Sequence, residues 1–249
     1  MKIAVAGGTG TVGRHIVAQA QADGHAVSVI ARSTGVDLIT GAGAQAAVDG
    51  ADVVIDAAST GTLNAAASVE FFRRSSATLL SAARRAETPH VVVLSIVGID
   101  DNPNGYYAGK VAQEHAYAES GLPWTLVRST QFHEFAGQVA AQAAVGPIQL
   151  APRARTQPIA AATVAAHLLE LAAGAPAGRS EDIAGPREEQ LSDMIRAWAR
   201  HTGRRRPVLS VALPGAQMRG LRAGLALPGP GARLLGPTFA EWLSGQPAR

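Results

Sequence analysis

The stretch Lys2-Ile3-Ala4-Val5-Ala6-Gly7-Gly8-Thr9-Gly10-Thr11-Val12-Gly13-Arg14-His15-Ile16-Val17 decides the fold of this chain. An apolar strand, Ile3 to Ala6, runs into a turn spaced Gly7-x-x-Gly10-x-x-Gly13, and helical periodicity follows at once, with Val12, Ile16 and Ala20 on one stripe. Each glycine has a reason: one makes the tight turn, one lets backbone approach a pyrophosphate, and one lets the helix pack closely on the strand. The helix start then presents unpaired N–H groups and a positive dipole end to an anion. The turn residues Gly7, Thr9, Gly10, Thr11, Val12 and Gly13 are thus expected to hold a dinucleotide. A glycine-rich turn with no ligand is the competing reading.

Outward from this unit, strand and helix alternate at the spacing of a parallel α/β sheet. Strands are predicted at Ala26 to Ala31, Val53 to Asp56, Val91 to Leu94 and Trp124 to Val127. The β-branched run Val91-Val92-Val93 suits a strand buried on both faces. Helices are predicted over Ala42 to Val48, Ala65 to Arg85 and Tyr107 to Glu119. The fold class is therefore α/β, a Rossmann-type doubly wound parallel sheet.

Beyond Arg128 the pattern loosens. Helices are expected at Phe132 to Ala144, Thr163 to Ala173 and Leu191 to His201, and short strands at Ile148 to Leu150 and Val208 to Leu213. After Pro214, Gly and Pro obscure everything up to a capped turn at Thr238. Residues 1–145 are read as the nucleotide-binding domain. Residues 146–249 are read as a smaller C-terminal substrate-binding lobe, packed on the first and sharing some elements with it.

Composition narrows the function classes. With 47% hydrophobic and 16% charged residues, the 249-residue chain is a folded globular protein. It has no cysteine, which excludes disulfides, thiolate nucleophiles and Cys-ligated zinc. No His and carboxylate spacing suits a metal, and no Ser-His-Asp arrangement supports hydrolysis. The net charge of +3 is scattered apart from Arg204-Arg205-Arg206, read as a solvated helix end, so no nucleic-acid partner is expected. Without a signal-peptide layout or a membrane-length apolar run, a cytoplasmic protein with no membrane association is expected.

The strand ends supply the remaining candidates. The second strand leads into Arg32-Ser33, where an acidic residue would hold a ribose 2′-hydroxyl. A cation and a hydroxyl suit a 2′-phosphate instead, so NADP(H) is favoured over NAD(H); an ordinary exposed strand-end charge is the alternative. Asp37 and the run Asp56-Ala57-Ala58 suit adenine and ribose contacts, or ordinary loop capping by Asp. Ser95 ends the buried strand. Tyr106 and Lys110 follow at Tyr-x-x-x-Lys spacing, one helical turn apart on one face. A nearby ammonium favours tyrosinate, so Lys110 is expected to lower the Tyr106 pKa from its usual ~10 and make it a usable acid or base. A surface tyrosine beside a solvated lysine is the bland reading. Gln131, Phe132, His133 and Phe135, with Val97, Ser95 and Tyr106, are expected to line a substrate pocket, although for His133 a structural histidine at a helix start is the favoured reading.

Together these motifs resemble the NmrA-like NAD(P)-binding branch of the atypical short-chain dehydrogenase/reductase superfamily. The residues that carry the resemblance are Gly7 to Gly13, Arg32-Ser33, Ser95-Ile96-Val97-Gly98, Tyr106 to Glu114, Gly121 to Arg128, Pro158-Ile159-Ala160 and Thr238 to Leu243. The resemblance implies hydride transfer to a small carbonyl, quinone, imine or enone. In that scheme Tyr106 protonates the developing oxyanion, Ser95 bonds the same oxygen, and Lys110 holds the nicotinamide ribose. It leaves two alternatives: a non-catalytic NADP(H)-sensing regulator, and a nucleotide-dependent isomerase or epimerase. The expected partner is a small-molecule substrate, and the expected state a monomer or homodimer.

Overall fold

The computed structural model describes residues 1–203 and 206–247. The first half runs β1 (Lys2–Ala6), α1 (Gly13–Ala22), β2 (Ala26–Ile30), α2 (Ala44–Val48), β3 (Val53–Asp56), α3 (Ala65–Arg85), β4 (Val91–Ile96), α4 (Tyr106–Ala118) and β5 (Trp124–Ser129). Next come α5 (Phe135–Gln142), β6 (Ala144–Val145), β7 (Ile148–Pro152), β8 (Arg155–Thr156), α6 (Ala161–Ala173), β9 (Gly178–Arg179) and β10 (Ile183–Ala184). The chain finishes with β11 (Glu189–Gln190), α7 (Leu191–His201), β12 (Val208–Val211), α8 (Ala216–Ala223), β13 (Arg233–Leu234) and α9 (Phe239–Ser244).

The main sheet is parallel, in the order β13-β10-β5-β4-β3-β1-β2, with β9 also paired to β5. From β1 the chain moves to one side for β2 and returns to the other for β3 and all later strands. That reversal makes the carboxyl ends of β1 and β3 the switch point, where open α/β sheets bind ligands.

Side-chain alternation along the strands sorts the core into two layers. Ile3, Val5, Ile55, Val92, Leu94 and Val127 face α1 and α6. Ala4, Ala6, Val54, Val91, Val93 and Leu126 face the side of α2, α3 and α4. The α3–α4 contact is close because α4 carries Gly109 in its first turn. A Cβ there would lie 2.6 Å from Phe72 Cδ2 and 2.7 Å from the Ser68 backbone. α3 is capped at its start by Asn64, whose Oδ1 accepts from Ala67 N at 3.0 Å. Arg84 and Arg85 at its end complement the helix dipole.

Past residue 145 the chain does not keep to itself. α6 packs in the α1 layer, and β9, β10 and β13 extend the main sheet. A third core joins α5, α7 and α9, with Ala136, Met194, Ile195, Phe239 and Leu243 buried and Trp198 stacked on Trp242 at 5.9 Å. Thr238 and Glu241 form the expected cap of α9: Thr238 Oγ1 accepts from Glu241 N, and Glu241 Oε2 accepts from Thr238 N.

Several helix starts differ by one to three residues from the sequence expectation, and two of the shifts have a visible cause. α5 begins at Phe135 and not Phe132, because Phe132 bridges Ile159 and His133 N donates to Ile159 O at 3.0 Å. α6 begins at Ala161 and not Thr163; the Glu134 carboxylate accepts from Ala161 N at 3.2 Å and satisfies its first turn. Of the basic run, Arg204 and Arg205 lie outside the described residues. Among the described residues no helix is long and apolar enough to cross a membrane.

Candidate functional site

The turn after β1 is built around Gly7, which has φ +71°. A Cβ on Gly7 would lie 2.6 Å from Ala57 O and 2.8 Å from Ala58 Cα, so the turn rests directly on the backbone leaving β3. Gly7 N donates to Ile30 O and Gly10 N to Gly7 O, which locks the loop from within. The N–H groups of Thr11, Val12 and Gly13 donate to no acceptor among the described residues. Val12 and Gly13 are buried, and α1 has no capping side chain. Buried helix starts normally find partners for these groups. This cradle fits a diphosphate: three orphan donors at a dipole's positive end, at the switch point of the sheet. Thr11 Oγ1 accepts from Gln138 Nε2 at 2.9 Å, which ties the turn to α5.

The other expected nucleotide contacts divide. Arg32 and Ser33 open a short 3₁₀ turn after β2, and both are exposed. Arg32 is in no ion pair among the described residues. Thr34 shapes that turn, accepting from Ala31 N and donating to Val29 O. Asp37 is half-buried and caps its own loop through Ile39 N. Ala57 and Ala58 line the floor beneath Gly7. Asp56, expected near the adenine end, points into the core instead. It is 1% exposed and accepts from Tyr117 Oη, Gln113 Nε2 and Ala58 N. Beside that carboxylate, and buried, the Tyr117 phenol is held well above its ordinary pKa.

The Ser95, Tyr106 and Lys110 set assembles differently from the expectation. Tyr106 and Lys110 share α4, and Phe72 of α3 touches both. The Phe72 ring centre is 5.6 Å from that of Tyr106 and 4.9 Å from Lys110 Nζ. Lys110 is buried, and its Nζ donates to Leu94 O at 2.6 Å and to Gln113 Oε1. Burial lowers its pKa to about 8. The expected lowering of the Tyr106 pKa by Lys110 is overturned. Burial raises the phenol to about 12, opposed by the hydrogen bond with Ser59; the charges acting on it are those of Tyr107 and Asp56. Ser95 is 1% exposed, sits on the strand face shared by Val91 and Val93, and its Oγ has no hydrogen-bond partner among the described residues. The hydroxyl that meets Tyr106 Oη is Ser59, at 2.9 Å.

The expected pocket residues also divide. Gln131, Phe132 and Phe135 line one cavity with Ala154, Thr156, Leu191, Met194 and Leu221, so the C-terminal lobe supplies the opposite wall. The cavity encloses about 20 Å³, room for about one water. Gln131 is held at both ends: its Nε2 donates to Tyr107 Oη at 3.1 Å and its Oε1 accepts from Thr156 Oγ1 at 2.7 Å. Val97 is buried and lies outside this lining. His133, expected to bond substrate, is a core histidine. It is fully buried between Phe239 and Trp242, with Nε2 on Pro237 O at 3.1 Å, and burial lowers its pKa.

Sequence reasoning missed Ser59, Tyr107 and Thr156. For Ser59 the signal was a hydroxyl three residues past the strand beside the switch point.

Comparison with known proteins bears on the same region. Residues 7–174 match a family model described as NAD(P)H-binding. No curated protein matches the chain. Among solved structures, MoeE5 in complex with UDP-glucuronic acid and NAD is 15% identical, with a TM-score of 0.75 over 99% of this chain and 97% of that one. The NADPH-dependent quinone oxidoreductase QOR2 of Escherichia coli, complexed with NADPH, is 18% identical, with a TM-score of 0.71 over 97% and 98%. A UDP-N-acetylglucosamine 4-epimerase from Bacillus cereus is 17% identical, with a TM-score of 0.69 over 98% and 96%. At these identities the structures share the fold.

Proposed function

The chain belongs to the NAD(P)H-binding family, and on that premise we propose that it is an NADP(H)-dependent reductase of a small carbonyl, quinone, imine or enone. One observation carries the reading. The backbone of Ala57 and Ala58 supports the Gly7 turn, and the next residue, Ser59, hydrogen-bonds Tyr106 Oη. A proton donor thus stands within two residues of the diphosphate cradle.

A bound dihydronicotinamide supplies a hydride. The chain supplies the rest. The N–H groups of Thr11, Val12 and Gly13 hold the diphosphate, and the Arg32 guanidinium with the Ser33 hydroxyl receives a 2′-phosphate. Tyr106 stays protonated at neutral pH, since its pKa stands near 12, and donates from Oη to the substrate oxygen. Lys110 works from behind, fixing α4 to β4 through Leu94 O. Gln131, Phe132, Phe135 and Leu221 would face a substrate only once their cavity, now with room for about one water, widens on binding.

The test is NADPH oxidation followed spectroscopically against a panel of quinones, enones, imines and aldehydes. Turnover is expected with at least one class, and Tyr106→Phe lowers it by ~10²–10⁴-fold. Nucleotide binding without turnover on any of them refutes the reductase and leaves a nucleotide-sensing protein.

A further inference from the structure

Two serines stand close to the carboxyl ends of neighbouring strands, Ser95 in β4 and Ser59 just past β3. Ser95 faces the buried layer, and its Oγ has no partner among the described residues. Ser59 is exposed at the end of the switch-point strand, and among the described residues its Oγ is the one side-chain atom bonded to the Tyr106 phenol. The first turn of α3, into which the connection past Ser59 leads, holds Tyr106 from its other end. Ser68 Oγ donates to Tyr106 O at 2.9 Å. The ring between these two anchors stands edge-on to Phe72 and Tyr107, with centroids at 5.6 and 6.4 Å. Backbone, ring and hydroxyl of Tyr106 are therefore all fixed by groups outside the Tyr-x-x-x-Lys spacing.

We propose that Ser59, and not Ser95, is the positioning hydroxyl of this site, holding the Tyr106 phenol and then donating to the phenolate formed when the proton leaves. The proposal rests on the reductase reading for the second half of that statement only. Before reaction either oxygen donates to the other. When a substrate oxygen takes its place in front of the phenol, Ser59 turns its O–H towards Tyr106 Oη. The Tyr106 O–H bond breaks, an O–H bond forms on the substrate oxygen, and the electron pair stays on the phenolate. The substrate carbon gains its own electron pair with the hydride named above. Because Ser59 faces solvent, water returns the proton to Tyr106 without crossing the core. A charge-assisted bond is the stronger kind, so Ser59 stabilises the phenolate more than the phenol. Only that difference accelerates the step.

The experiment compares Ser59→Ala, Ser59→Thr and Ser95→Ala in two readouts. The first is the NMR spectrum of protein labelled with ¹³C at tyrosine Cζ, where the chain's 3 tyrosines give separate resonances assigned by Tyr→Phe variants. Ser59→Ala is expected to move the Tyr106 resonance and leave that of Tyr117 in place, and Ser59→Thr to restore it. The second is turnover. Ser59→Ala is expected to lower kcat by about tenfold to a hundredfold with the KM for NADPH within about twofold, as for a lost hydrogen bond to a charged oxygen. Ser59→Thr recovers most of it, and Ser95→Ala costs less than Ser59→Ala. An unmoved Tyr106 resonance in Ser59→Ala, or a larger kcat loss in Ser95→Ala, overturns the proposal. A wild type without turnover overturns the reductase reading, and the resonance still decides the Ser59 contact by itself.

Discussion

The turn from Gly7 to Gly13 and the helix start from Tyr106 to Lys110 prepare their chemistry by opposite means. In the turn the working groups are backbone amides, and the sequence prepares them by withholding side chains. Thr11, Val12 and Gly13 keep free N–H groups because no capping residue is present and the loop closes on itself through Gly7 O and Ile30 O. In the helix the working groups are side chains already engaged by neighbours: Lys110 with Leu94 O and Gln113, Tyr106 with Ser59. A backbone site is set by steric permission and tolerates little substitution. A side-chain site is set by burial and partners, so its electrostatics depend on residues far away in sequence.

The contrast is tested most severely at Gly13. A Cβ there would meet Gly7 C and Gly8 Cα at 2.7 Å, backbone atoms that cannot step aside. Overpacking of about 1–3 kcal/mol in so confined a turn predicts that Gly13→Ala weakens NADPH binding by up to about a hundredfold, measured by calorimetry. Binding within twofold of wild type would show that the amides of this turn do not hold the nucleotide.

A smaller effect sharpens the contrast at the rim of the same site, where a side chain takes over from backbone. Arg32→Ala is expected to weaken NADPH by about tenfold more than NADH, the size of one charged hydrogen bond. Equal losses for both nucleotides would remove Arg32 from the 2′ position.

The smallest expected effect lies in the helix, in the pH dependence of stability. Unfolded Lys110 holds its proton up to its ordinary pKa of 10.5, whereas in the fold it releases it near 8. Between those values the unfolded chain binds more protons, so Lys110 makes stability rise with pH across this window and withdraws that contribution as pH falls through about 8. Urea denaturation of the nucleotide-free protein at several pH values should show a steeper rise for wild type than for Lys110→Met. Parallel curves would mean the ammonium is better solvated than its contacts indicate.

The same contrast explains what the sequence made legible. The strand-turn-helix unit and the strands through Trp124 were readable because apolar alternation and glycine spacing act locally, within a few residues. The Tyr106–Lys110 spacing correctly put both on one helix, but the direction of the Lys110 ammonium follows from Leu94 and Gln113, which no spacing encodes. Ser95 was placed at a strand end, yet its parity with Val91 and Val93 turns it inward; counting faces along that strand would have shown it. Ser59 lies 47 residues from its partner in a loop without a motif, and only the meeting of that loop with α4 joins them. His133 belongs to a cluster with Phe239 and Trp242, more than a hundred residues on, beyond the reach of local pattern. α8 and β13 lie among the glycines and prolines after Pro214, where turn chemistry masks periodicity.

The two-residue strands Ile183–Ala184 and Arg233–Leu234 finish one flank of the sheet from the far end of the chain. On a ribosome, strands up to Ser129 have their neighbours soon after emerging, but that flank stays open until Leu234 is made. A growing chain therefore carries the unpaired ladder of β5 until β9 and β10 are made, and that of β10 until Arg233 and Leu234 follow. Once closed, an outermost strand only two residues long offers a second molecule almost nothing to add to, so on this flank the hazard of edge-to-edge aggregation falls on the nascent chain more than on the finished protein.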